Sequence, residues 1–345
     1  MGQLYDEIQE QPDVLRRLIA QESANIQDIA GQLAKRDVRL VLIAARGTSD
    51  NAATYAKYLW GNVNRLPVAL AAPSLYTLYE RPPKLSGALV VGISQSGMSP
   101  DIVSVIEDAR QQGMPTLAIT NAPDSRLARA SEFVIDCHAG EERSVAATKT
   151  YTAQLMAVAL LSVALADRAA MRAQLERVPE AVAATLMLDE TVAQAAERYC
   201  YAENMAVVGR GYSYATALEI ALKLKELTYT STTPYSSADF MHGPIAIVQR
   251  GFPVLLVAPA GKAYPIMVGL AGELAARQAE QIIISDQPEV LVFAQRPLRL
   301  PVGLDEWLSP MTAVVPGQLL GYHLALTRGL DPERPRGLTK VTETR

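Results

Sequence analysis

Cysteine is nearly absent from this chain: two in 345 residues, Cys137 and Cys200. Neither lies in a C-x-x-C pair or near histidines at metal-ligand spacing. His138 adjoins Cys137, but neighbours on a strand point to opposite faces. A disulfide framework and a zinc site are therefore not expected, and no metal or other cofactor is implied. A surplus of positive charge is missing as well: 32 Lys and Arg stand against 36 Asp and Glu, a net charge of −4. No general attraction to nucleic acid or to an acidic membrane follows, so an anionic ligand must be held by local groups. The apolar stretch Leu155–Leu165 is too short to span a bilayer and fits a buried helix. The first residues lack a basic segment followed by an apolar run, so no signal peptide is expected and the cytoplasm is the expected compartment.

What is present is the composition of a globular chain with a sizeable core, 49% hydrophobic and 20% charged, long enough for two domains. A helical arm is expected over 1–36. Continuous apolar runs at Val38–Ala45, Ala88–Ile93, Thr116–Thr120 and Phe133–Cys137 read as buried strands, separated by helical patterns such as 50–60 and 150–166. The second half repeats this order, with strands at Met205–Val208, Val254–Val257 and near Pro297–Pro301. Gly47 and Gly211, Gly97 and Gly261, and Gln154 and Gln318 all stand 164 residues apart. Three anchors at one spacing indicate two copies of one α/β domain, each a parallel sheet flanked by helices in a doubly wound, flavodoxin-like arrangement. The expected divisions are 1–36, 37–168, 169–330 and a tail at 331–345. Ligands in such sheets bind beyond the carboxyl ends of the strands.

The copies differ there. The first has Ser94-Gln95-Ser96-Gly97-Met98-Ser99 before Pro100; the second has Ala258-Pro259-Ala260-Gly261. Free N–H groups and the positive end of a helix could hold a phosphate, with Ser94, Gln95, Ser96 and Ser99 as neutral donors. A hydroxyl-rich turn with an N-cap explains the loop equally well. Arg46-Gly47-Thr48-Ser49-Asp50 is a similar junction, with Ser49 or Asp50 as a possible N-cap.

Residues 215–227 form a strong helix pattern with Glu219, Lys223 and Glu226 on one face. A solvated stripe with an ion pair is one reading; a proton-transfer pair beside a desolvated pocket is the other. The hydroxyl-rich segment 228–244 shows little periodicity and ends in His242-Gly243-Pro244, so His242 is a candidate on a functional loop. His323, in an apolar helix, reads as a satisfied core histidine. The polar, proline-rich run 331–340 reads by composition as a loose tail in which nothing marks Lys340.

Taken in order, these motifs resemble a known family. Glu7–Pro12, Gly47-Thr48-Ser49, Ser94-Gln95-Ser96-Gly97, Val145-Ala146-Ala147-Thr148-Lys149, Ala217-Leu218-Glu219, Leu222–Glu226, His242-Gly243-Pro244 and Pro335–Lys340 match the isomerase half of glucosamine-6-phosphate synthase (glutamine–fructose-6-phosphate aminotransferase). They are also similar to the stand-alone glucosamine-6-phosphate deaminases built from tandem sugar-isomerase (SIS) domains. The resemblance implies that Gly47, Thr48, Ser49, Ser94, Gln95, Ser96 and Ser99, with Val145 and Ala147, form the sugar-phosphate site. It implies that Glu226 moves the proton between C1 and C2, that Lys223 handles hydroxyl protons, and that His242 assists ring opening from a neighbouring subunit of a homodimer. Lys340 would sit at the sugar carbonyl, with the tail folded over the pocket.

Three positions depart from the family pattern: Arg46 stands where the synthase has a cysteine, Met98 where it has an acid, and Ala147 where it has a serine. No glutaminase domain or cysteine near residue 1 is present, so this chain by itself is not expected to draw ammonia from glutamine. The resemblance therefore favours a deaminase that converts glucosamine 6-phosphate to fructose 6-phosphate and ammonia. A simple phosphosugar isomerase or a ketosamine-phosphate deglycase is the alternative, and a sensor without turnover ranks third. All of these require the phosphate held by the first copy to present its sugar to the lysine–glutamate helix of the second.

Overall fold

The computed structural model describes residues 2–340; the last five residues of the expected tail lie outside the described part. The chain divides into two compact units. One holds Asp13–Glu142, Lys149–Glu176 and, at the end of the described residues, Thr339 and Lys340. The other holds the residues up to Pro12, the short segment Arg143–Thr148, and Arg177–Leu338.

The first unit is built on a five-stranded sheet: β1 (Leu40–Ala44), β2 (Val68–Leu70), β3 (Ala88–Ser94), β4 (Thr116–Thr120) and β5 (Phe133–Asp136). Their spatial order is β2-β1-β3-β4-β5, and every pairing is parallel. Parallel neighbours need crossovers, and helices supply them. Strand order reverses between β1 and β3, so the loops leaving these two strands flank the switch point at the carboxyl edge. Those loops are 45–47 and 95–99. All seven residues of β3 are buried, as expected for a central strand covered on both faces.

The second unit repeats the arrangement with β6 (Asn204–Gly209), β7 (Ser231–Ser236), β8 (Pro253–Val257), β9 (Glu280–Ser285) and β10 (Arg296–Arg299). Its order, β10-β9-β8-β6-β7, is that of the first sheet read from the opposite edge, again with parallel pairings throughout. The duplication extends to torsion angles: Gly47 has φ 55°, ψ −129° and Gly211 φ 60°, ψ −129°. A side chain at either position would be strained. The expected fold class holds for both copies.

Four local expectations need correction. The helix after β1 begins at Thr48, and neither Ser49 nor Asp50 caps it; Gly47 is the N-cap residue, without a side-chain bond. The segment 228–244 is not one long loop. It contains edge strand β7, held only by β6, and a short helix, Ser237–Met241. β2 lies in the short apolar run 66–72, Leu-Pro-Val-Ala-Leu-Ala-Ala, and is a strand that the expectations above do not include. The run 331–338 is not loose: Glu333 accepts the Leu4 N–H at 3.1 and 3.2 Å, and the Arg336 N–H donates to the Tyr229 hydroxyl at 2.7 Å. The Arg336 guanidinium also lies 4.6 Å above the Tyr229 ring. Composition alone cannot reveal partners a hundred or more residues away.

The opening residues belong to the same unit. Glu7 accepts the Arg143 N–H at 2.6 Å, and Gln11 donates to Gln318 at 2.9 Å. The helix Lys149–Ala166, in the first unit, is apolar on all sides and 83% buried. Among the described residues it alone is long and apolar enough to cross a membrane. Its burial fits a core helix.

Candidate functional site

In the first unit the two loops at the switch point carry most of the expected phosphate-binding residues. Gly97 has φ 61°, and a Cβ there would fall 2.0 Å from the Ser125 hydroxyl oxygen, so only glycine fits. The Ser94 hydroxyl accepts the Gly97 N–H at 3.1 Å and shapes the turn. The Ser96 hydroxyl lies 3.4 Å from the Met98 nitrogen, and Gln95 is tied through its carbonyl to the Asn121 N–H at 3.1 Å. Ser99 is the N-cap residue of the helix Pro100–Gln111 but makes no side-chain cap bond, and Pro100 holds the first helical position as expected. A row of hydroxyls thus precedes the positive end of a twelve-residue helix that opens on Pro100 and whose Ile102 N–H donates to the Asp101 carboxylate at 2.9 Å, so the hydroxyls and the helix dipole are what suit a phosphate oxygen here.

Across the switch point, the buried Ser49 hydroxyl accepts from the Gln154 amide at 3.1 Å. Thr48 opens the same helix. Burial pushes the Asp50 carboxyl above its usual range, and the Arg46 charge partly offsets this. Arg46 pairs with Asp101 at 2.8 Å; the Asp101 side chain is 2% exposed and the Arg46 side chain 52% exposed. A buried carboxylate at the start of the serine-loop helix therefore fixes a half-exposed cation at the end of β1. No sequence spacing signals this pair, whose members lie 55 residues apart.

Lys340 also belongs to the first unit. Its amine donates at 3.0 Å to Glu142, whose side chain is fully buried. Glu142 further accepts the Thr150 N–H at 3.1 Å and the Thr150 hydroxyl at 2.7 Å. Sequence reading missed Glu142. The 164-residue spacing would have pointed to it, since it pairs Glu142 with Glu306.

The second unit holds the remaining candidates. The helix Tyr212–Thr228 carries Glu219, Lys223 and Glu226 on one face, as expected. The Lys223 side chain is 1% exposed, with its amine 3.5 Å from Glu219 and 2.6 Å from Glu226. The closer contact is ionic and not a well-aligned hydrogen bond. Glu219 is fully buried and Glu226 is 23% exposed, so of the two carboxylates Glu226 is the one that solvent or a ligand can reach. A reachable carboxylate held beside a buried ammonium is an arrangement that can exchange a proton with a ligand. The solvated-stripe reading does not fit this burial.

The end of that helix is anchored by a residue that sequence reading also missed. Arg328 donates to the Thr228 carbonyl at 3.0 Å, the Thr230 hydroxyl at 2.8 Å and the Cys200 carbonyl at 2.9 Å, and contacts the Ala202 carbonyl. An arginine there satisfies carbonyls that a helix end leaves free. Burial lowers its pKa from the usual arginine value. His242 is the exposed C-cap residue of the helix Ser237–Met241. Val145 and Ala147, partly exposed, lie on the segment Arg143–Thr148, which groups with the second unit and not with the serine loop. His323 pairs with Asp189 at 2.7 Å, in keeping with a satisfied structural histidine. Cys137 is buried and its thiol pushed well up by burial, which suits an inert core residue. Among the described residues no cluster of His, Cys, Asp and Glu has the arrangement of a metal site.

The chain is thus a duplicated doubly wound α/β protein, with a hydroxyl loop at the switch point of one copy and a buried lysine–glutamate pair in the other. The chain belongs to the SIS domain family, whose model matches residues 32–164 and 200–328. A glutamine–fructose-6-phosphate aminotransferase of Thermococcus kodakarensis is 36% identical over 98% of this chain, and one of Gloeobacter violaceus is also 36% identical over 98%. The chain spans about 57–58% of the length of these relatives. Among solved structures, a Silicibacter pomeroyi protein described as a candidate phosphosugar isomerase superposes with a TM-score of 0.87 at 34% identity, covering 96% of this chain and all of that one. The C-terminal domain of the Francisella tularensis glucosamine-fructose-6-phosphate aminotransferase gives 0.86 at 28%, covering 97% and 98% of the two chains. A Thermotoga maritima glucosamine-6-phosphate deaminase shares the fold, with a TM-score of 0.80 at 22% identity over 99% and 100%.

Proposed function

We propose that the chain is an amino-sugar phosphate deaminase acting at C1 and C2 of glucosamine 6-phosphate. The observation that carries this reading is the Lys223–Glu226 pair: a reachable carboxylate fixed 2.6 Å from a buried ammonium, in a family of phosphosugar enzymes. Thr48, Ser49, Ser94, Gln95, Ser96 and Ser99 hold the phosphate, aided by the backbone at Gly47. In the open-chain sugar the Glu226 carboxylate takes the C2 proton and returns it to C1 while an amine proton passes to O1, leaving a C1 alcohol and an imine at C2. Water adds to that carbon, the C–N bond breaks, and ammonia and fructose 6-phosphate leave. Lys223 holds the charge balance around Glu226 and exchanges protons with substrate hydroxyls. His242 serves ring opening in a homodimer, and Lys340, positioned by Glu142, meets the sugar carbonyl. Val145 and Ala147 contribute backbone to the sugar site.

Ammonia release from glucosamine 6-phosphate, coupled to fructose 6-phosphate formation, tests the reading. Glu226→Gln is expected to lower kcat by roughly 10²–10⁴-fold while leaving phosphate-ester binding nearly unchanged. Full turnover in that variant removes Glu226 from the chemistry. A second reading, aldose–ketose isomerisation of a phosphosugar without ammonia release, is favoured by the 34% identity to the Silicibacter protein. Exchange of the C2 proton with solvent and no ammonia would select it.

A further inference from the structure

The loop after β8 occupies the place in the second copy that the serine loop holds in the first. It lacks hydroxyls, yet it still presents backbone N–H groups, those of Lys262 and Ala263, just ahead of its helix, Tyr264–Ala276. These do not face open space. The Glu306 carboxylate accepts the Lys262 N–H at 2.9 Å through one oxygen and the Ala263 N–H at 3.1 Å through the other. Asp286 accepts the Ala260 N–H beside them at 2.7 Å. The fit is close: a Cβ on Gly261 would fall 2.3 Å from the Glu306 carboxyl carbon.

At the 164-residue spacing, Lys262 and Ala263 correspond to Met98 and Ser99, and Glu306 corresponds to Glu142. The same carboxylate thus exists in both copies and is used differently. In the first copy it turns to Thr150 and Lys340, and the serine-loop amides are left without it. In the second copy it sits on the amides with its two oxygens spread as two oxygens of a phosphate would be.

We propose that Glu306 is a built-in replacement for a bound anion. Its carboxylate fills the anion cradle of the second copy, so the chain takes a single phosphorylated ligand, through the first copy. The closure rests on the second copy alone; the location of the remaining site rests on the reading of the serine loop given above.

Calorimetric titration of the full chain with inorganic phosphate tests this by counting sites. The wild type is expected to bind one phosphate per chain, Glu306→Ala two, and Ser96→Ala/Glu306→Ala one. If the serine-loop reading is wrong, the wild type binds none and Glu306→Ala still gains one, so the two failures are separable. A folded Glu306→Ala chain that binds no more phosphate than the wild type overturns the proposal. Should that variant not fold, Glu306→Gln keeps the shape and removes the charge. Phosphate should then raise its unfolding midpoint about 3 °C more than it raises the wild type's. An equal rise in both also overturns the proposal.

Discussion

Replacing Gly97 by alanine is the sharpest test of how the serine loop is built. The backbone there has φ 61°, which costs an L-residue about 1–2 kcal/mol. The new Cβ would lie 2.0 Å from the Ser125 hydroxyl oxygen and 2.4 Å from the Ser125 Cβ. Rotating the hydroxyl away is therefore not enough, and the backbone of Ser125 must shift. Ser125 caps the helix Arg126–Ala130, accepting the Ala128 N–H at 3.3 Å, and losing such a cap costs about 1 kcal/mol. With the overpacking included, Gly97→Ala should cost about 3–5 kcal/mol in the transition that unfolds the first unit. Ser125→Gly alone should cost only a few tenths, because glycine is tolerated at an N-cap. The pair together should fall back to about 1–2 kcal/mol, the backbone part, since both clashing atoms are gone. Denaturant unfolding of the four proteins measures a coupling of about 2–3 kcal/mol. Additive costs, or a Gly97→Ala protein within about 0.5 kcal/mol of wild type, would refute the argument from close approach.

Lys223→Met should destabilise the second unit by about 3–5 kcal/mol, because fully buried Glu219 is left without its cation; adding Glu219→Gln should recover much of this in denaturant melts. Asp50→Asn should stabilise the first unit near neutral pH. Burial raises the folded-state pKa of Asp50 above its ordinary value near 3.8, so its ionised form burdens the folded state above that window. The advantage of Asp50→Asn should shrink as pH falls through the raised pKa and be absent below the ordinary one, and an advantage that does not change with pH contradicts the assignment. Arg328→Met strands the Thr228 carbonyl at the end of the lysine–glutamate helix and the Cys200 and Ala202 carbonyls just before β6, and should cost about 2–4 kcal/mol, read as a lowered midpoint for the second unit.

Much of this fold is legible because buried parallel strands are continuous apolar runs. β1, β3, β4, β5, β6 and β8 all announce themselves this way. β2 and β7 are harder to see. β2 has three residues and is partly exposed; β7, Ser-Thr-Thr-Pro-Tyr-Ser, is a strand only because β6 offers its edge. The lysine–glutamate stripe was visible from helical spacing, but its burial depends on what packs around it. Arg46 with Asp101, and Glu142 with Lys340, are pairs made by folding, 55 and 198 residues apart, and local patterning carries no trace of them. The helix after β1 starts two residues earlier than its pattern suggests because Gly47 turns the chain before any capping side chain is needed.

The chain's threading also limits how it can be dissected. Leu4, Glu7 and Gln11 are bonded to Glu333, Arg143 and Gln318, all within the unit that holds the second sheet. A clean scission near residue 176 would strip that half of its opening helix and of the 143–148 segment, leaving the Glu333 carboxylate and the Gln318 amide without these partners. Fragments meant to isolate either sheet must therefore be spliced from several pieces of the polypeptide, and a circularly permuted gene is a better route to them than truncation.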